Sequence, residues 1–233
     1  MINFHEVTKR YNSIAALADV SLEIPDSEFV FLVGPSGAGK STLLKLIIRE
    51  ELPSAGRIFV GNTEVNKLSS SQVPHLRRRV GTIFQDFKLL PQRTVFENVA
   101  FPLEILGLDD DEIESVTKDT LALVDLGHLA DHFPGQLSGG EAQRTATARA
   151  MVLRPEVILA DEPTGNLDAG SAWEVMQLLD RLNSLGTTVI MATHNMDISS
   201  SLPHRTLEIQ KGRIVHDSKQ KGTKSPAAKK KHS

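Results

Sequence analysis

Residues 29 to 42 read Phe29-Val30-Phe31-Leu32-Val33-Gly34-Pro35-Ser36-Gly37-Ala38-Gly39-Lys40-Ser41-Thr42. Five apolar residues lead into a glycine-rich turn, and the helix-forming run Leu43-Leu44-Lys45-Leu46-Ile47-Ile48 follows it. Gly34 to Ser41 satisfies the pattern G-x-x-x-x-G-K-[ST] in its required context of strand, loop and helix. The glycines let backbone N–H groups turn inward around phosphate oxygens, and the helix N-terminus adds a positive dipole end. Lys40 has the reach to contact β- and γ-phosphates, and the Ser41 hydroxyl is a candidate Mg²⁺ ligand. Gly34, Pro35, Ser36, Gly37, Ala38, Gly39, Lys40, Ser41 and Thr42 are therefore candidate nucleotide-binding residues. By itself the segment also fits a strand-to-helix turn with no ligand, so the rest of the chain must decide.

Two further runs resemble the strand before this loop. Val157 to Ala160 and Thr187 to Ala192 are nearly continuous apolar stretches, as expected of parallel strands covered on both faces. In open α/β sheets ligands sit beyond the carboxyl ends of the strands. The first run ends in the glycine loop, the second in Asp161-Glu162 and the third in Thr193-His194. If the three strands are neighbours, these groups converge on one γ-phosphate. Asp161 would then hold Mg²⁺, Glu162 would polarise the attacking water, and His194 would orient that water. Gln85 follows another short apolar stretch, Val80 to Phe84, and has the reach for the metal and the water. Taken alone, a glutamine at this place is more often an ordinary strand-end residue. Tyr11, the only tyrosine, is expected in a loop between short β runs, where its ring can stack on adenine or simply pack.

Leu137-Ser138-Gly139-Gly140-Glu141 reads as a capping box ahead of the alanine-rich helix Thr145 to Ala150. Two exposed glycines before a helix N-terminus also make a second anion-binding surface. One phosphate loop has no use for two such surfaces at one site. Dimerisation resolves this, each chain offering its helix end to the nucleotide held by the other; a plain helix cap is the alternative.

The remaining pattern sets the architecture. Ile2, Phe4 and Val7, then Val20 to Ile24, then Arg57 to Gly61 alternate as short strands of a small antiparallel sheet. Residues 87 to 155 read as mostly helical. Asp109-Asp110-Asp111 caps a helix carrying Ile113, Val116, Leu121 and Val124, and a later helix carries Val175, Met176, Leu179 and Leu182 up to Gly186. The fold class is thus α/β: a parallel-sheet nucleotide core with a small antiparallel β subdomain and an inserted helical lobe. The expected domain spans 1–217.

Of the 26 basic and 29 acidic residues in the chain, six lysines lie in 218–233, which has no acid. The body, with 20 basic against 29 acidic residues, carries −9, which argues against general nucleic-acid binding. The basic segment 218–233 is expected to be a disordered, solvated tail, with attraction to anionic lipid as the alternative. The chain has no cysteine, which suits a reducing compartment. No apolar run approaches the length of a membrane span, so any membrane role is expected to need a partner.

The phosphate loop, Gln85, Leu137 to Glu141, Val157 to Glu162, Asp168 and His194, in that order and spacing, resemble the ATP-binding-cassette ATPases. The resemblance covers about residues 2 to 217 and implies a RecA-like core. It places Lys40 and Ser41 in the Walker A loop, Asp161 in Walker B, and Glu162 as the catalytic carboxylate, with His194 and Gln85 as its helpers. Ser138, Gly139, Gly140 and Glu141 become the signature, Asp168 the D-loop residue, and Tyr11 the adenine-stacking aromatic. It further implies ATP and Mg²⁺ as ligands and a homodimer sandwiching two ATP molecules. Closure of that dimer pushes on a membrane partner near the Gln85 loop.

Asp161-Glu162-Pro163-Thr164-Gly165-Asn166-Leu167-Asp168 resembles the branch that serves lipoprotein release, macrolide-type export and cell division. The run from Phe84 to Leu103, with Arg77-Arg78-Arg79 before it, is most similar to the cell-division FtsE family. That likeness implies an FtsX-like membrane partner, a place at the cytoplasmic face of the cell membrane, and an indirect link to cell-wall hydrolases and division proteins. An ATPase subunit of a lipoprotein-release or macrolide-type exporter is the alternative. A soluble cassette acting on nucleic acid is disfavoured by the acidic body, and a non-hydrolysing scaffold by Glu162 and His194. Two positions depart from the family pattern: Ser27 stands where glycine is usual, and Ala142 where glutamine is usual. The first is expected to alter a turn, and the second to lower the ATPase rate without abolishing it.

Overall fold

The computed structural model describes residues 1–219. The chain opens with β1 (Ile2–Tyr11) and β2 (Ile14–Ile24), an antiparallel pair with Ile2 opposite Ile24. Then β3 (Phe29–Val33) leads through the glycine loop into α1 (Lys40–Ile47). Next come β4 (Ala55–Val60), β5 (Thr63–Glu64), α2 (Val73–Arg78) and β6 (Val80–Phe84). Helices α3 (Val95–Leu106), α4 (Asp110–Leu123) and α5 (Gly139–Met151) occupy the middle. The last part holds β7 (Val157–Asp161), α6 (Ala169–Ser184), β8 (Thr188–Thr193), α7 (Met196–Ser201), β9 (Arg205–Gln210) and β10 (Arg213–Asp217).

These strands make two sheets. The antiparallel sheet has the order β2-β1-β4-β5, as the alternating runs at the start of the chain predict. The second has the order β10-β9-β3-β8-β7-β6 and is parallel except for the β9–β10 pair. Strand β8 lies between β3 and β7, so the three apolar runs are neighbours. Val33 pairs with Thr193, Asp161 with Ala192, and Phe84 with Asp161. The carboxyl ends of β3, β8, β7 and β6 therefore stand side by side, which is the condition for their polar tips to form one site.

Side-chain period builds the core. On β3, Val30 and Leu32 pack with Leu43 and Leu46 of α1 and with Ile2 and Phe4 of the antiparallel sheet. Phe29, Phe31 and Val33 point the other way, onto Val175, Met176 and Leu179 of α6. A third cluster (Val95, Val99, Leu121, Val124, Ala148 and Val152) holds the helical lobe together. Each of these helices is amphipathic enough to be fixed by burial rather than by intrinsic propensity.

Several details differ from the sequence reading. Tyr11 ends strand β1 rather than lying in a loop. The third apolar run starts at Thr188, because Gly186 and Thr187 still bond back to Asn183 and Leu182 of α6. Asp109 occupies the N-cap of α4 without a side-chain capping bond. The sequence reading contains no hairpin β9–β10, whose strands bury Leu207, Ile209 and Asp217. Ser218 and Lys219, assigned by sequence to the tail, are tied down: Thr206 N donates to Ser218 Oγ, and Lys219 Nζ lies 2.9 Å from Glu28. Residues 220–233, the rest of that segment, lie outside the described residues.

Candidate active site

The loop between β3 and α1 fits only glycine at two points of close approach. A Cβ on Gly34 would stand 2.2 Å from the carbonyl oxygen of Ile209, and one on Gly39 2.5 Å from that of Ala16. Gly39 is also the N-cap of α1, at φ 112°, and no side chain caps that helix. The first N–H groups of α1 are thus left for a ligand, and the dipole there favours an anion.

Lys40 is only 6 % exposed. Its Nζ donates to the carbonyls of Gly34 at 2.8 Å and Pro35 at 3.3 Å, and lies 3.4 Å from Glu162 Oε1. The ammonium is held inside the loop by oxygen acceptors that a phosphate can replace. Ser41, in the first turn of α1, hydrogen-bonds the Asp161 side chain.

Asp161 ends β7, and its Oδ1 is buried without a hydrogen-bond partner. Burial pushes the Asp161 carboxyl above the usual carboxylate range; the Ser41 hydroxyl opposes the rise, Glu162 adds to it, and Lys40 opposes it. An orphaned buried carboxylate oxygen beside a hydroxyl is a costly arrangement that a cation relieves. The donors are all oxygens and few, and no cluster of three His, Cys, Asp or Glu side chains exists among the described residues. This set fits Mg²⁺, which keeps waters and takes only one or two protein ligands. A cavity of about 410 Å³ lined by Ser41, Leu44, Thr82, Phe84 and Asp161 opens beside it.

Glu162 has φ 51°, an unusual conformation for a residue with a side chain. Two backbone bonds fix it there: Glu162 N to Ala192 O at 2.9 Å, and Gly165 N to Glu162 O at 3.1 Å. The turn aims its carboxylate back over the phosphate loop. Oε1 faces Lys40, while Oε2 meets His194 Nδ1 at 2.9 Å and accepts from His194 N at 3.3 Å. Lys40, Glu162 and His194, separated by more than 150 residues of chain, thus form one contiguous triad.

Gln85 follows β6 and is bonded to the turn after Glu162. Its Nε2 donates to Asn166 Oδ1 at 3.3 Å, and Asn166 Nδ2 donates back to Gln85 O at 3.3 Å. The loop after Gln85 is held from the helical lobe. Arg149 donates to the carbonyls of Lys88 at 2.8 Å and Phe87 at 3.0 Å, and Asn98 brackets Leu90 through its N–H and C=O. Burial lowers the Arg149 pKa below its ordinary value. Asn98, Arg149 and Asn166 were not singled out by sequence. An arginine in an alanine-rich helix and an asparagine in a buried helix face were the available signals.

Ser138 caps α5 with the expected box: Ser138 N donates to Glu141 Oε2 at 2.7 Å and Glu141 N to Ser138 Oγ at 3.3 Å. The backbone and hydroxyl of Ser138 hold the Glu141 carboxyl below its usual range. Ser138 and Gly139 are exposed. Gly140 is buried, and a Cβ on it would lie 2.7 Å from Ser171 Oγ. Asp168 caps α6, accepting from Gly170 N and Ser171 N, and the bonds from Ser171 lower its pKa. Among the described residues no hydrogen bond joins this helix end to the phosphate loop. Tyr11, expected to stack on adenine, is 40 % exposed at the end of β1, with Lys9 Nζ over its ring at 4.8 Å from the centre.

Comparison with known proteins agrees with this geometry. Residues 17–165 match the family model described as ABC transporter. The chain is 50 % identical over 218 residues to the cell division ATP-binding protein FtsE of Bacillus subtilis, covering 93 % of this chain and 96 % of that one. The FtsE of Escherichia coli is 46 % identical, covering 92 % and 97 % of the two chains. Among solved structures, a dimeric post-hydrolysis state of the ATP-binding cassette MJ0796 bound to ADP and Pi superposes with a TM-score of 0.86. It is 36 % identical and covers 96 % of this chain and all of that one. CbiO1 of Clostridium perfringens gives the same TM-score at 31 % identity, covering 93 % and 87 %.

Proposed function

The chain belongs to the ABC transporter family, within it to the FtsE group of cell-division ATP-binding proteins, and from that premise we propose how it works. It is the ATP-hydrolysing subunit of a complex with an FtsX-like membrane protein. It couples ATP binding and hydrolysis to cell division and, through the partner, to cell-wall hydrolases. The observation that carries this reading is the Lys40–Glu162–His194 set beside the orphaned Asp161 oxygen.

The residues divide the work. ATP phosphates enter the Gly34–Thr42 loop, and Lys40 exchanges its carbonyl partners for β- and γ-phosphate oxygens. Ser41 and Asp161, with Gln85 once it is released, hold Mg²⁺, which when bound neutralises phosphate charge and supplies Lewis acidity. Glu162, freed from Lys40, accepts the proton of the attacking water as that water's oxygen bonds to the γ-phosphorus and the bond to the bridging oxygen breaks. His194 keeps the Glu162 carboxylate aimed and contacts the γ-phosphate. Tyr11 stacks on adenine.

Ser138, Gly139 and the α5 N-terminus serve the nucleotide of a second copy, so the working unit is a homodimer with two ATP molecules. The membrane partner meets the dimer near the Gln85 loop, which places the protein at the cytoplasmic face of the membrane. Among the described residues no helix is long and apolar enough to cross a membrane, in keeping with anchoring through that partner.

The test is capture of the Glu162→Gln protein with ATP from detergent-solubilised native membranes, read by mass spectrometry. A small permease with a large extracytoplasmic domain is expected. Recovery of a larger exporter instead would keep the ATPase chemistry and overturn the division role.

A further inference from the structure

The loop from Gln85 to Leu90 is gripped unequally at its two ends. On the lobe side the bonds are short and partly buried. Arg149 reaches two carbonyls at 2.8 and 3.0 Å, and Asn98, fully buried, binds Leu90 at 2.8 and 3.1 Å. Phe87 and Lys88, both at positive φ (58° and 51°), are fixed in that conformation by the Arg149 grip. On the core side, among the described residues, the Gln85 side-chain amide donates to Asn166 Oδ1 and the Gln85 backbone carbonyl accepts from Asn166 Nδ2, two exposed bonds of 3.3 Å each. Gly165 makes room for it, since a Cβ there would lie 3.1 Å from Gln85 Nε2. If the lobe moves against the core, the weak pair breaks first and the loop travels with the lobe.

We propose that Asn166 is a positioning residue: it parks the Gln85 amide against Gly165, bonded to Asn166, until movement of the helical lobe releases it. The inference rests on the proposed role of Gln85 toward Mg²⁺ and water. Asn166 lies between Glu162 and Asp168, so the same seven-residue segment carries the carboxylate and the latch. Parking lowers the apparent affinity for Mg-ATP by the fraction of molecules unlatched, and removing the latch restores it.

The test is binding of a non-hydrolysable ATP analogue with Mg²⁺ to the wild type, Asn166→Ala, Gln85→Ala and the double variant, with Tm measured for each. Two weak bonds worth about 0.5–1 kcal/mol together correspond to roughly 2- to 5-fold tighter binding in Asn166→Ala. No such gain is expected when the same change is made in the Gln85→Ala background. Unchanged or weaker binding by a folded Asn166→Ala protein overturns the latch, and so does an equal gain in the Gln85→Ala background. Asn166→Ser replaces Asn166→Ala if the latter does not fold. Hydrogen exchange of the 85–90 segment in nucleotide-free protein separates the two readings. If the wild type fails to bind the analogue, the proposed function fails. Faster exchange in Asn166→Ala then still supports the latch, and unchanged exchange overturns it.

Discussion

At the scale of single residues, the site is a set of charges held against one another until a ligand replaces them. Lys40 is buried and satisfied by Gly34, Pro35 and Glu162. Lys40→Ala removes the group that takes phosphate and leaves those oxygens without a donor. ATP affinity is expected to fall about 10- to 100-fold, as charged hydrogen bonds worth about 1.5–3 kcal/mol imply, measured by calorimetric titration. Ser27 makes a second residue-scale case. It stands at φ 58°, where the family pattern has glycine, and its Oγ donates to Gly186 O at 2.9 Å while its N donates to Thr188 Oγ1. The hydroxyl compensates for the left-handed backbone. Ser27→Val, β-branched and without that bond, should lose about 1–3 kcal/mol in denaturant unfolding, whereas Ser27→Gly should be nearly neutral. Ala142 is 6 % exposed, so a glutamine there would have to bury its amide.

At the scale of elements, the legible part of the sequence was the part governed by local rules. The run Phe29 to Val33 became a strand over those same residues because it is apolar on both faces and followed at once by glycine. The Ser138–Glu141 capping box formed as read because its bonds span only three residues. What stayed hidden depends on long-range neighbours. Asn98, Arg149 and Asn166 acquire their roles from carbonyls and amides that the topology brings beside them. Hairpin β9–β10 is secured by Arg205, whose guanidinium bonds both oxygens of Asp217 at 2.9 and 2.8 Å and also Glu28. That bidentate pair holds the Asp217 carboxyl below its usual range. A depressed carboxylate contributes its stability above its unfolded value, near 3.8, and loses it as pH falls through the lower folded value. Asp217→Asn should therefore lower Tm at pH 7, and the gap to wild type should close in acid below that value. A Tm difference independent of pH would show that the pair does not act through charge. Gly140 marks where α5 meets α6. Gly140→Ala forces a Cβ against Ser171 and should cost about 1–3 kcal/mol of stability in a denaturant titration.

For the whole molecule, the sheet order decides the chemistry. Because β8 separates β3 from β7, the phosphate loop, His194 and the Asp161-Glu162 pair stand at three adjacent strand ends. The second candidate anion surface, Ser138 and Gly139 on the lobe, is exposed, and among the described residues no hydrogen bond joins it to that site. On the proposed function, one chain offers two halves of a site that a second copy brings together. The most direct test is light scattering of the Glu162→Gln protein with and without Mg-ATP. That substitution keeps the shape of the side chain and removes its capacity to accept the water's proton, so nucleotide should bind and remain. The account predicts a doubling of molecular mass on adding Mg-ATP and a return to the monomer when nucleotide is removed. A protein that binds ATP with undiminished affinity and stays monomeric would contradict it.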